Sequence, residues 1–236
     1  MTTGESFCQQ TMDYSRKPRR YFSSFRSDFL SALPDNPTGS ILEIGCGTGE
    51  LGEAAFQMGK CERYCGIEID PVAAAEARTR ISEVIEGDVE TLPFTWQDES
   101  FNVLIASEVL EHLKDPWTTL RRLKQLLTPG AVVLASSPNV AHWRVVKMLL
   151  RGRWDLTETG VMDRTHLRWF TPATYCQLFE SAGFDVQSCA PVRTLGWRGR
   201  LVQTLTLGST SHLLWNQIAI TAQRPMTDAQ KDHMEE

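Results

Sequence analysis

A chain of 236 residues can bury one substantial core, so one domain with elaborations is the expectation. With 42% hydrophobic and 22% charged residues it has the balance of a folded globular protein, and its formal net charge of −5 offers no general attraction for nucleic acid. No apolar run approaches the ~20 residues that span a bilayer, and the opening MTTGESFCQQTMDYSRK lacks the apolar core of a secretory signal, so no membrane span and a cytoplasmic location are expected.

Residues 19–33 carry Tyr21, Phe22, Phe25, Phe29 and Leu30 at near-helical spacing, which predicts one helix before the turn PDNPTGS. A strand–helix rhythm follows. SILEIGC reads as a buried strand, GELGEAAFQMG as a helix, RYCGIEI as a second strand, and PVAAAEARTR as a helix opened by Pro71. SEVIEGD is a weaker third strand and FNVLIAS a fourth; DPWTTLRRLKQLL is an amphipathic helix with Asp115 as N-cap. PGAVVLASSPN supplies the fifth strand, TPATYCQLFESAGF a helix stopped at Gly183, and DVQSCAPV and HLLWNQIAITAQ two final strands. Continuous apolar strands separated by helices predict an α/β fold with a seven-stranded, mostly parallel sheet and helices on both faces. The domain is expected over 37–224, preceded by a helical segment 1–36 and followed by a polar tail 225–236, with an insertion at about 139–171. Six cysteines are scattered along the chain. Cys61 and Cys65 form a CxxxC without a second ligand pair nearby, so reduced thiols and no metal site are expected.

In such a sheet a ligand binds beyond the carboxyl ends of the strands, where the strand order reverses. The first strand ends in Glu43, Gly45, Cys46, Gly47 and Gly49. Glycines permit a sharp turn and a close ligand approach, and the following helix presents free N–H groups. A dinucleotide fingerprint would want glycine at 50, where Glu50 stands, and that acid would repel a pyrophosphate. The loop therefore suits a nucleoside without phosphates. Glu68 ends the second strand, where a carboxylate can accept both ribose hydroxyls, and Asp88 follows the third, within reach of an adenine amine.

These motifs (ILEIGCGTGELG, GIEID, EGDVETLPF and the run from FNVLIASEVLEHL to AVVLAS) resemble those of class I S-adenosylmethionine-dependent methyltransferases over residues 40–139. The resemblance implies that Gly45, Cys46, Gly47 and Gly49 pass the methionine end of the cofactor and that Glu43 orients the loop or the amino group. It further implies that Glu68 with Ile69 holds the ribose, that Asp88 with Val89 holds the adenine, and that Ser107 and Glu108 line the methyl path.

A transferred methyl needs an aligned acceptor, and an oxygen or nitrogen acceptor can also need a base. Three histidines are candidates: His112 after the fourth strand, His142 at the start of the insertion, and His166 in its return, GVMDRTHLRWFTP. His112 could instead tie its loop to a neighbouring carbonyl, and Asp163 could pair with Arg164 or Arg168 to pin the return while Trp169 and Phe170 fill core. The block from SSPNVAHWRVVKMLLRGRW to this return resembles a subset of bacterial class I methyltransferases linked to surface-glycan or secondary-metabolite pathways, and more distantly the ubiquinone-type O-methyltransferases. The likeness implies an acceptor lid, with Trp143, Arg144, Asp163 and Arg168 on the acceptor side. Because the insertion is locally basic, a polar or anionic acceptor is expected, such as a sugar acid or a nucleotide- or phosphate-linked glycan. The reading is an O-methyltransferase for a small molecule or glycan; an N-methyltransferase, or a cofactor-binding partner protein without chemistry, is the alternative.

Overall fold

The structure, a computed structural model, describes residues 26–194, 196, 201 and 203–226. Tyr21, Phe22 and Phe25 and most of the polar tail lie outside the described residues; of the predicted first helix, α1 covers Ser27–Ala32. The elements then alternate as expected: β1 (Ser40–Ile44), α2 (Glu50–Gln57), β2 (Arg63–Glu68), α3 (Pro71–Ala77), β3 (Glu83–Glu86), β4 (Phe101–Ser107), α4 (Pro116–Leu126) and β5 (Leu127–Pro138). After the insertion, which contains α5 (Trp143–Leu149), come α6 (Pro172–Ser181), β6 (Asp185–Pro191) and β7 (Gln217–Gln223). The last predicted strand is half right: Ser211–Leu214 forms a 3-10 turn and the strand begins only at Gln217.

The sheet order is β3-β2-β1-β4-β5-β7-β6, with β7 antiparallel to both neighbours and the other pairs parallel. The order reverses between β1 and β4, so their carboxyl ends diverge and leave a crevice. Alternation along the strands builds two cores. Leu42, Ile44, Leu104, Ala106, Val133 and Ala135 pack with Leu120 and Leu123 of α4 and with Tyr175 and Phe179 of α6. Ile41, Val103, Ile105 and Leu134 face the other way, against Phe29, Leu51, Ala55 and Ala77 from α1, α2 and α3. Both faces of the central strands are thereby buried, which is why they read as unbroken apolar runs.

Local signals end the helices where the sequence suggests. The Asp70 carboxylate accepts from the Val72 and Ala73 N–H groups at α3, and Asp115 accepts from Thr118 N–H at α4. Thr171 and Thr174 form a reciprocal cap at α6, and Gly183 beyond that helix has φ +83°, a conformation glycine adopts without strain. The insertion leaves and rejoins the sheet at one point: Asn139 bridges to Phe170, and Val140 N–H donates to the Phe170 carbonyl at 2.9 Å.

Candidate active site

A single cavity of about 910 Å³ lies over the crevice, bounded by the glycine loop, the ends of β2, β3 and β4, and the return of the insertion. At one end, Gly45, Gly47 and Gly49 have φ of +67°, +53° and +82°, so the loop turns through conformations that side chains disfavour. The Glu68 carboxylate accepts from Gly47 N–H at 2.8 Å through one oxygen and from Asp70 N–H at 2.9 Å through the other. It therefore braces the loop against the end of β2 while still lining the cavity. Glu43 is buried beneath the loop and accepts from the Tyr64 hydroxyl at 2.7 Å; burial pushes its carboxyl up to about 8. Burial likewise raises Glu68. Asp88 stands half-buried at the third strand's end, its Oδ1 accepting from Glu90 N–H at 2.9 Å, beside buried Val89. Arg122 of α4 braces this corner by donating to the Val89 and Glu90 carbonyls at 3.1 and 2.6 Å.

These groups suit a nucleoside whose other end is cationic. The left-handed glycines keep side chains out of the approach, two strand-end acids line the cavity as acceptors for hydroxyl or amine donors, and a buried carboxyl with a raised pKa gains from an ammonium beside it. Ser107, Ile69 and Cys46 also line this end, whereas Gly49 does not; its Cα packs toward α3, where an added Cβ would lie 3.1 Å from the Ala77 Cα.

The other end is built from two distant segments. Glu108, with φ +54°, and the 3-10 turn Leu110–His112 follow β4; the insertion's return supplies Asp163 and His166. Backbone N–H groups of Leu167 and Arg168 donate to the Glu111 carbonyl at 2.8 and 2.9 Å, stitching the segments together. The rings of His112 and His166 lie edge to face with centroids 4.8 Å apart. His112 Nδ1 is 3.2 Å from the Thr165 carbonyl and His166 Nδ1 is 3.1 Å from the Val161 carbonyl. His112 thus both ties its loop to a carbonyl and lines the cavity. Asp163 accepts from the Thr165 backbone and hydroxyl at 2.9 and 2.8 Å. Burial, with the Glu108 charge second, holds Glu111 well above the usual carboxylate range.

Besides Gly49, four expected catalytic and acceptor-side residues lie elsewhere. His142 is buried at the start of α5, 5.8 Å from the Trp143 ring, and does not line the cavity. Trp143 and Arg144 line a separate surface pocket with Lys147, Arg151 and Arg153, because α5 turns its basic face outward. Arg168 donates to the Leu167 and Lys114 carbonyls and lies over the Trp117 ring, so it pins the return segment. Arg164 pairs with Glu158 at 2.6 Å. Among the described residues only Arg26 and Lys114 bring a basic side chain to the main cavity, against nine acids, so the insertion's basic excess gives no ground for an anionic acceptor there. Glu111 and Arg26 were missed by sequence reasoning. Glu111 carried a signal, an acid beside a strand-end histidine. Arg26 carried none; it reaches the cavity only through tertiary packing, donating to Ser136 Oγ at 2.8 Å.

An open parallel sheet with one antiparallel strand, a glycine loop after β1 and acids closing β2 and β3 defines a class I methyltransferase architecture. A family model described as a methyltransferase domain matches residues 14–188, and the chain belongs to that family: it is an S-adenosylmethionine-dependent methyltransferase. It is 26% identical over 189 residues to the ubiquinone biosynthesis O-methyltransferase of Aeromonas salmonicida, covering 77% of this chain and 78% of that one. It is 33% identical over 122 residues to an uncharacterized transposon protein of Streptomyces fradiae, covering 49% of this chain but only 35% of that protein. The fold matches a SAM-dependent methyltransferase from Archaeoglobus fulgidus with a TM-score of 0.61 at 19% identity, covering 89% of this chain and all of that one. No helix among the described residues is long and apolar enough to cross a membrane.

Proposed function

We propose that the chain methylates an oxygen of a small-molecule or glycan acceptor held beneath the 139–171 insertion. The observation that carries this reading is the cavity's continuity: one space joins the nucleoside end to a wall where Glu111, His112 and His166 meet. The relative from Aeromonas, named as an O-methyltransferase, supports oxygen as the acceptor atom. Bound S-adenosylmethionine supplies the methyl on a sulfonium; the S–CH₃ bond breaks as the O–CH₃ bond forms, and the acceptor gives up its hydroxyl proton. In this reading Glu43 faces the cofactor's ammonium, Glu68 the ribose and Asp88 the adenine. Ser107 and Glu108 border the methyl path, and the insertion's return excludes water. His166 receives the acceptor's proton, with His112 packed against it.

A second reading is favoured by the acidic lining, which suits an acceptor carrying an amine and hence N-methylation. A methyl-transfer screen against phenols, sugars and amines, with product masses and fragmentation, separates the two. Methylated hydroxyls support the proposal; methylation confined to nitrogen overturns it.

A further inference from the structure

We propose that Glu111, His112 and His166 together hold a divalent transition-metal cation at the acceptor end of the cavity, an inference that rests on reading that end as the acceptor site. The three side chains are buried, and one ligand atom from each lies within 4.8 Å of the others. Glu111 is the independent sign: it is 1% exposed, and the Ser137 hydroxyl beside it is a weak partner that leaves both buried carboxylate oxygens without a well-formed hydrogen bond. A buried carboxylate held only by a weakly placed hydroxyl is costly, and a cation is a partner that satisfies both oxygens.

The imidazoles are prepared for the same task. A carbonyl oxygen only accepts, so the contacts to Thr165 and Val161 put the proton on Nδ1 of each neutral ring and leave a lone pair on Nε2. Ligating histidines are held this way, the second nitrogen donating to a backbone carbonyl that sets tautomer and orientation. The backbone bonds from Leu167 and Arg168 to Glu111 fix the two segments before any ligand arrives. Two imidazoles and one carboxylate suit Mn²⁺, Fe²⁺, Co²⁺ or Zn²⁺ better than Mg²⁺ or Ca²⁺, and three protein ligands leave positions open for water or a hydroxyl. A hydroxyl bound there becomes more acidic, so its proton leaves to solvent and His166 serves as ligand; without the cation, His166 itself is the proton acceptor.

The test uses the full chain, stripped with chelator and titrated with Mn²⁺, followed by electron paramagnetic resonance and calorimetry; Mn²⁺ is chosen because it binds thiols poorly. One Mn²⁺ per chain is expected, with affinity lowered at least about tenfold in Glu111→Gln and in His166→Ala. Absence of saturable Mn²⁺ binding by the wild-type chain overturns the proposal, as does unchanged affinity in both variants. The wild-type result stands alone should a variant fail to fold. Oxygen methylation that survives chelation in a chain without an Mn²⁺ site would sink the cation and leave the proposed function. Stoichiometric Mn²⁺ binding in a chain that methylates only nitrogen would do the reverse.

Discussion

Glu43 couples protonation to both folding and binding. Its carboxyl is raised from 4.5 to about 8 by burial, with Glu68 adding to the rise and the Tyr64 hydrogen bond opposing it. The folded chain therefore holds a proton that the unfolded chain has lost between those values, so this group destabilises progressively as pH climbs through the window. Thermal unfolding from pH 5 to 9 is expected to show a loss of stability in the wild type that Glu43→Gln lacks; parallel profiles would remove the assignment. At the same pocket, Glu68→Ala is expected to cost about 1.5–3 kcal/mol of cofactor affinity by calorimetry, because in the proposed role the carboxylate accepts from the ribose while it also holds the Gly47 and Asp70 N–H groups. His166→Ala is expected to lower turnover by ~10²–10⁴-fold with cofactor affinity retained, whether the imidazole accepts a proton or ligates a cation. Normal turnover in that variant, with loss in His112→Ala, would move the role to the turn after β4.

The insertion divides into two parts with different tasks. Its first part, α5, places Arg144 and Lys147 on an outer pocket of about 320 Å³, while its return lines the main cavity with Val161, Asp163 and His166. Replacing Arg144 and Lys147 together by Ala is thus expected to leave kcat and KM for a small acceptor unchanged, and a marked rise in KM would restore those residues to the acceptor site. Replacing residues 144–164 by a short linker is expected to preserve cofactor binding and abolish transfer. The Asn139–Phe170 bridge closes the insertion's base, so the sheet does not depend on what lies beyond it. Retained transfer in that deletion, measured with the natural acceptor, would put the acceptor elsewhere.

Across the whole molecule, the cavity is where two packed cores meet an interrupted strand order. Leu104 of β4 is fully buried beneath α4 and α6 at the centre of the sheet, on one of the two strands that border the reversal between β1 and β4. Leu104→Ala is expected to cost about 2–5 kcal/mol of stability, read as a lower denaturation midpoint, since the surrounding strands cannot collapse into the void. Cofactor affinity should persist in whatever fraction stays folded, because no cavity-lining residue is Leu104's direct neighbour in sequence.

Runs of apolar residues, helix caps and the glycine loop were legible in the chain itself, because strand burial, capping and left-handed turns act between neighbours in sequence. The same locality made Glu43, Glu68 and Asp88 readable as strand-end acids, since a strand's end fixes which edge its last residue occupies. Pairings between distant segments were not legible. His112 and Glu111 precede His166 by more than fifty positions, and their meeting depends on backbone bonds across the insertion's return. Arg144 and Arg168 carry the same charge in the same insertion, yet one faces an outer pocket and the other caps carbonyls beside Trp117. Composition registers a basic segment; only tertiary packing decides toward which side of the wall each charge turns.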